Sequence, residues 1–209
     1  MAWSPKSELT RHVPASFAAR APALLSVHRD HPERAAVERF IRTVYAGCYG
    51  AEVRQFTPHL VALHDADGEV VAAAGYRPAR LGPLFLERYL PATVETLLGD
   101  AGQRAERARI VEVGHLASGR AGAGRRLVGL LGPHLAQEGF QWVVSTLTED
   151  LRQLFLRMGI APTALGVADP AVLGADAAAW GSYYDHRPLV LAGQINLALL
   201  RLARRRVLS

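Results

Sequence analysis

The sequence is poor in cysteine and lysine, and it has no long apolar run. Cys48 is the one cysteine among 209 residues, which excludes an intramolecular disulfide framework and a zinc site built from several thiolates. No run approaches the roughly 18 apolar residues of a membrane-spanning helix. The first residues, MAWSPKSELTRHVP, lack the apolar segment of a secretory signal. We therefore expect a soluble cytoplasmic protein, and its high arginine and alanine content indicates a bacterial source.

The composition is that of a globular domain. Hydrophobic residues make up 50% of the chain and charged residues 21%, with a formal net charge of +5. Because Lys6 is the single lysine, the positive charge is nearly all arginine, and it favours acidic partners such as phosphates, anionic lipid or an acidic protein. No recognition motif accompanies the arginines, so we expect no nucleic-acid binding. HExxH, CxxC and Walker motifs are absent, so we also expect no metal. The oligomeric state is left open.

Hydrophobic periodicity divides the chain into an arm (1–30), an α/β domain (31–194) and a basic C-terminal helix (195–209). The pattern predicts a helix at 31–50 and a hairpin at 59–79, whose turn is the DADG sequence. A loop with a short helix follows at 84–100. Strands are predicted at 107–117, 141–148 and 188–193, and helices at 122–140 and 149–159. Alternation of strands and helices in the second half predicts a mixed sheet with crossover helices on its faces.

The most informative stretch is IVEVGHLASGRAGAGRRLVGLL, residues 110–131. An apolar strand carrying one acid, Glu112, leads through a glycine-rich turn into a basic helix. Glycine N–H groups and a helix N-terminus favour bound phosphate, and Arg120, Arg125 and Arg126 would add charge beside Gly122 and Gly124. The spacing is not the GxGxxG of a dinucleotide site. The turn is therefore either an anion site or a glycine-rich helix entry.

Several blocks in matching order make the chain similar to the thermostable haemolysin family, which is GNAT-like (N-acetyltransferase superfamily) in fold. The blocks are residues 38–63, 75–90, 111–117 and 180–193. VEVGHLA is also similar to acyl-homoserine-lactone synthases and long-chain N-acyl amino acid synthases. The turn RAGAG resembles the superfamily's [Q/R]xxGxG/A motif, with one residue fewer between Arg120 and Gly122.

This resemblance implies an N-acyltransferase that uses acyl-CoA or the phosphopantetheine of an acyl carrier protein. Glu112 would accept the proton of a small-molecule amine, and His115 would share that role or orient substrate. Residues three apart face opposite sides of a regular strand, so a bulge is needed to bring both to one side. Tyr183 or Tyr184, in WGSYY, would protonate the departing thiolate.

The resemblance also implies which residues bind the two substrates. Val113, Arg120, Gly122, Gly124 and Arg125 would bind the donor.

Arg77, Phe85, Glu87, Trp142 and Thr146 would bind the acyl group or the amine. Two of them have alternatives: Glu87 either recognises the amine or holds its loop through Arg77 or Arg80, and Trp142 either lines an acyl tunnel or is plain core. Val143, Ser145 and Leu147 face the other side of that strand.

Two rival interpretations stay open. The sequence QINLALLRLARRR (194–206) predicts a helix that lies on anionic membrane, docks an acidic carrier, or packs on its own domain or on a twin subunit. The chain is then either a membrane-active haemolysin-like protein or an enzyme with a peripheral membrane contact. The shortened phosphate motif leaves open a domain that binds a ligand without catalysis.

Overall fold

The computed structural model describes residues 24–207, and side chains as far as Arg204. Residues 1–23 of the predicted N-terminal arm, and residues 208–209 of the predicted C-terminal helix, lie outside this range. Leu25–Val27, which lie within the predicted arm, form a strand of the sheet.

Within the described range, seven strands form one mixed sheet in the order β1-β2-β3-β4-β5-β7-β6. Among the described strands β4 and β5 form the parallel pair, and the other neighbours are antiparallel. The mixed α/β class is therefore confirmed. The strands are β1 (Leu25–Val27), β2 (His59–His64), β3 (Val70–Pro78), β4 (Ile110–Ser118), β5 (Trp142–Leu147), β6 (Thr163–Val167) and β7 (Leu189–Gln194).

The described residues also form five α-helices and several 3-10 segments, which connect the strands except for the last helix, which follows the last strand. The helices are α1 (Arg34–Tyr49), α2 (Val94–Asp100), α3 (Ala123–Gln137), α4 (Glu149–Arg157) and α5 (Ile195–Val207). The 3-10 segments are Ala79–Leu81, Phe85–Tyr89, Arg107–Arg109, Pro170–Trp180 and Tyr183–His186. In the described part of the chain, no helix combines the length and hydrophobicity needed to cross a membrane.

Strand alternation divides the core between the two faces of the sheet. On one side, which we call the α1 face, α1, α2 and the 3-10 segments cover residues such as Leu60, Ile110 and Val144. On the other, which we call the α3 face, α3 and α5 cover residues such as Val61 and Val111. Each face buries its own apolar set, so the pleat of β4 places neighbouring residues in different environments.

The predicted hairpin and the strand–helix alternation are confirmed, but two strands were missed. β1 has only three residues, and β6 (TALGV) has no fully buried position. Neither therefore carries the alternating pattern by which half-buried strands are detected. Both lie at the edges of the sheet, where only one neighbour is needed.

Candidate active site

The parallel strands β4 and β5 separate part-way along their length. Their pairing runs through Ile110↔Trp142 and Val111↔Val143 and ends at Glu112↔Val144. Beyond this point β4 stays with β3, and β5 stays with β7. We call the opening after Glu112 and Val144 the fork.

An apolar cavity of about 90 Å³ lies at the fork on the α3 face. Its floor is formed by β4, β5 and β7, and α3, α5 and the chain around the end of α4 border it. Ser145 and Gln194 are the polar residues in its lining. The others are Val113, Leu116, Val128, Leu131, Gly132, Leu135, Val143, Leu147, Phe155, Ile160, Pro162, Leu191, Gly193, Ile195, Ala198, Leu199 and Leu202.

Trp142 and Thr146, the predicted substrate-binding residues of β5, do not line this cavity. Trp142 and Thr146 point to the α1 face, where Trp142 is 4% exposed and its indole N–H donates to the Arg104 carbonyl at 3.4 Å. Trp142 is therefore core, the second of its two predicted roles. The cavity is instead lined by the alternate residues of β5, among them Ser145.

Glu112 lies on the α1 face at the fork, opposite the cavity. Its two carboxylate oxygens accept hydrogen bonds from the backbone N–H groups of Phe85 and Leu86, both at 3.0 Å. Burial raises the pKa of Glu112, and the two N–H donors and the Arg77 guanidinium oppose that rise. An acceptor-only carboxylate satisfies both donors, so this geometry fits the ionised form.

The bulge that the sequence required is present in β4. The register with β3 shifts between Ala73 and Gly75, and His115 has a left-handed φ of 52°. The extra residue turns His115 onto the α1 face with Glu112, where its ring contacts Tyr45 and Phe56. Gly75 makes this possible, because a Cβ there would lie 2.9 Å from His115 Nδ1. Because of the pleat and the bulge, the side chains of Glu112 and His115 both lie on the α1 face.

His115 should make the protein sensitive to acid. Burial lowers its pKa to about 4, and the Gln55 backbone only partly offsets this. The unfolded chain, with a histidine pKa near 6.5, binds the proton first, so stability should fall by about 3 kcal/mol as the pH drops from 6.5 to 4. Asparagine tolerates the left-handed backbone at this position, so His115→Asn should lose this pH-dependent part of the stability. Urea unfolding of both proteins at pH 7 and pH 4.5 measures the difference. Equal pH dependence in both proteins would contradict it.

WGSYY lies against the C-terminal end of α1, and its aromatic cluster includes Phe85, whose N–H donates to Glu112. The Tyr183 hydroxyl donates to the Thr146 carbonyl at 3.2 Å, and burial raises the pKa of this tyrosine. The Tyr184 hydroxyl lies 2.6 Å from that of Tyr89, whose pKa burial and Tyr184 also raise. Sequence reasoning missed Tyr89 as a site residue, although its spacing from Phe85 in FLERYL brings the two rings into contact.

The predicted partner of Glu87 was wrong. Arg107, not Arg77 or Arg80, contacts its carboxylate at 2.7 and 3.0 Å, and the N–H groups of Leu84 and Val94 also donate to it. Burial opposes ionisation, but these partners lower the pKa of Glu87. Arg107 begins the 3-10 segment that leads into β4, and no local motif distinguishes it, so this contact could not be predicted from the sequence.

Arg77 and Phe85 both lie next to Glu112. Arg77 is opposite Glu112 in the β3–β4 register and also donates to the Leu81 carbonyl. Phe85 is 40% exposed and packs on Tyr89 and Trp180.

The glycine turn joins β4 to α3, as predicted. Gly122 is the left-handed N-cap with φ 79°, and Gly124 packs near Ser118. Arg120 forms an ion pair with Asp65 of the hairpin turn at 2.6 Å, while Arg125 is exposed on the first turn of α3. Arg120 thus joins the turn to the hairpin, and Arg125 and Arg126 are both exposed beside it. Within residues 24–207, no three His, Cys, Asp or Glu side chains are placed to hold a metal ion.

The model of the thermostable hemolysin family matches residues 27–199. The chain therefore belongs to this family. No curated protein matches it.

Solved structures show the same fold. MesI, described as a CoA-dependent acyl-homoserine lactone synthase, is 17% identical with a TM-score of 0.54, over 89% of this chain and 96% of its own. FeeM, an N-acyl amino acid synthase from uncultured soil microbes, is 14% identical with a TM-score of 0.56, over 86% and 94%. A GCN5-related N-acetyltransferase from Kribbella flavida is 17% identical with a TM-score of 0.50, over 82% and 98%. The fold is GNAT-like, and at these identities the likeness shows the fold alone.

Proposed function

We propose that the protein is an N-acyltransferase that moves an acyl group from acyl-CoA or acyl carrier protein to the amine of a small molecule. The fork carries this proposal, because it has an apolar cavity on one face and a buried carboxylate on the other. An acyl chain would occupy the cavity, and its thioester would lie in the fork. The amine would then approach from the side of Glu112.

The proposed reaction needs two proton transfers, and the site has a residue for each. The amine nitrogen attacks the thioester carbonyl carbon, a C–N bond forms and the C–S bond breaks. Glu112 takes the amine proton, directly or through water, and its raised pKa suits a general base. Tyr184 protonates the leaving thiolate, with Tyr89 hydrogen-bonded behind it. Tyr183 is the weaker candidate because Thr146 already holds its hydroxyl.

The donor's polar arm would lie along the turn before α3. Backbone N–H groups of Gly122 and Gly124, together with the exposed Arg125, are suited to phosphate or to the pantetheine amides. Arg120 contributes by holding the turn to the hairpin. MesI, described as CoA-dependent, supports acyl-CoA as a donor, and FeeM, described as an N-acyl amino acid synthase, supports an amino acid as one acceptor to test.

Purified protein should convert an acyl thioester and an amine into an amide and a free thiol. We would incubate it with acyl-CoA or loaded carrier protein and pooled amino acids, follow thiol release, and identify the amide by mass spectrometry. Thiol release that requires both donor and amine is the expected result. Donor binding without any amide would favour a domain that only binds its ligand. Dye release from anionic vesicles without donor would favour a membrane-active protein.

A further inference from the structure

The C-terminal helix α5 supplies part of the wall of the apolar cavity. Ile195, Ala198, Leu199 and Leu202 line it from one side of this helix. These positions follow the spacing of one helical face. Ile195 is 3% exposed and its N–H donates to the Gln141 carbonyl at 2.9 Å, which fixes the first turn of α5 to the sheet.

α5 packs closely on α3 at the cavity. A Cβ on Gly132 would lie 3.2 Å from Leu199 Cδ2, so the absence of a side chain at Gly132 lets α5 approach α3. Leu199 therefore fills the groove between the helices and also faces the cavity. Its size and position control how much space remains inside.

The opposite side of α5 is exposed. Leu200 is 59% exposed and Leu197 44% exposed, although each is a leucine on the same helix as the lining residues. A change at Leu200 would alter the helix surface without altering the cavity. Leu199, which lines the cavity, and Leu200, which is exposed, therefore form a matched pair for substitution.

We propose that α5 limits the length of the acyl chain that the protein accepts, with Leu199 and Leu202 as the determining residues. This inference rests on the proposed acyl-transfer function. A dry cavity of about 150 Å³ admits one benzene ring, so a cavity of about 90 Å³ has room for roughly four carbons. With the carbonyl carbon and its neighbour in the fork, the preferred straight chain has about six carbons or fewer.

The limit on acyl-chain length should be detectable in the binding of the acyl donor, before any amide is measured. Each buried methylene adds about fourfold to affinity until the cavity is full. We would measure the rise in melting temperature with straight-chain acyl-CoA and acyl-pantetheine of two to twelve carbons. The rise should grow with length and then stop growing at about six carbons.

Substitutions on the two sides of α5 distinguish an effect on the cavity wall from a general effect on the helix. Leu199→Ala and Leu202→Ala should move the preferred length up by about two carbons, as cavity volume is added, and Leu199→Trp should move it down. Leu200→Trp, on the outer side, should leave it unchanged. If Leu199→Trp does not fold, the two alanine variants still test the proposal.

The possible failures are distinct. No stabilisation by any thioester would contradict the donor site itself. Stabilisation that is independent of chain length, or that shifts equally in Leu199→Ala and Leu200→Trp, would contradict the role of α5 while leaving acyl transfer intact.

Discussion

Replacing Glu112 by glutamine should lower kcat/KM for amide formation at least about 100-fold, because a positioned general base contributes 10² to 10⁴. The side chain keeps its length but cannot take the amine proton. The acidic limb of the pH–rate profile should disappear with it. In the parent protein that limb should rise with pH through an apparent pKa above the ordinary glutamate value, because burial raises the pKa of Glu112.

The same substitution also has a structural cost, which must be measured separately. Glu112 accepts from two backbone N–H groups, those of Phe85 and Leu86. A glutamine has one oxygen and turns its NH₂ group towards the other donor, which should cost about 1–3 kcal/mol of stability. Denaturant unfolding gives this loss, and activity is then compared at temperatures where both proteins are folded.

Glu112→Asp provides the matched control. It shortens the side chain and weakens both hydrogen bonds, but it keeps a carboxylate. The acidic limb should persist in the aspartate variant and vanish in the glutamine variant. Full activity in Glu112→Gln, or loss of the acidic limb in both, would show that Glu112 only holds the segment 85–89 on the sheet.

The sequence predicted features of the fold that depend on local pattern. Apolar spacing identified α1, the hairpin and β4, and the glycine turn identified the entry to α3. A residue count even predicted the bulge near His115, since Glu112 and His115 needed it to share a face. These are short-range consequences of strand and helix periodicity.

The features that the sequence did not predict depend on contacts between distant segments. The hydroxyl pair of Tyr89 and Tyr184 joins residues 95 positions apart. The partner of Glu87 comes from Arg107, which no local spacing distinguishes from nearby arginines. Which side of β5 faces the cavity depends on how α3 and α5 cover the sheet. Alternation divides a strand into two faces but does not say which face is left open.

The glycine of WGSYY should tolerate substitution poorly. Gly181 has φ 52° and ψ −128°, a region that side chains rarely adopt. A Cβ there would lie 2.0 Å from the Tyr49 carbonyl oxygen and 2.9 Å from the Gly50 carbonyl carbon. These atoms belong to the backbone at the end of α1, so the clash can be relieved only by moving a whole segment.

Gly181→Ala should therefore destabilise the protein by about 3–5 kcal/mol, combining backbone strain with the clash. At about 2–4 °C per kcal/mol for a chain of this size, the melting temperature should fall by roughly 10 °C. The hydrogen bond from the Ser182 N–H to the Tyr49 carbonyl, at 2.8 Å, should be lost as the segment moves. Amide exchange at Ser182 would report that loss.

A comparison with Gly174 distinguishes backbone strain from the clash with α1 as the cause of the lost stability. Its φ of 56° and ψ of −127° nearly equal those of Gly181, yet a Cβ there meets no atom within 4 Å. Gly174→Ala should cost only the strain, about 1–3 kcal/mol. The difference between the two variants measures the contact with α1, and equal losses would contradict it. Because only Ser182 separates Gly181 from Tyr183 and Tyr184, only Gly181→Ala should also displace these two tyrosines and reduce acyl transfer among molecules that remain folded.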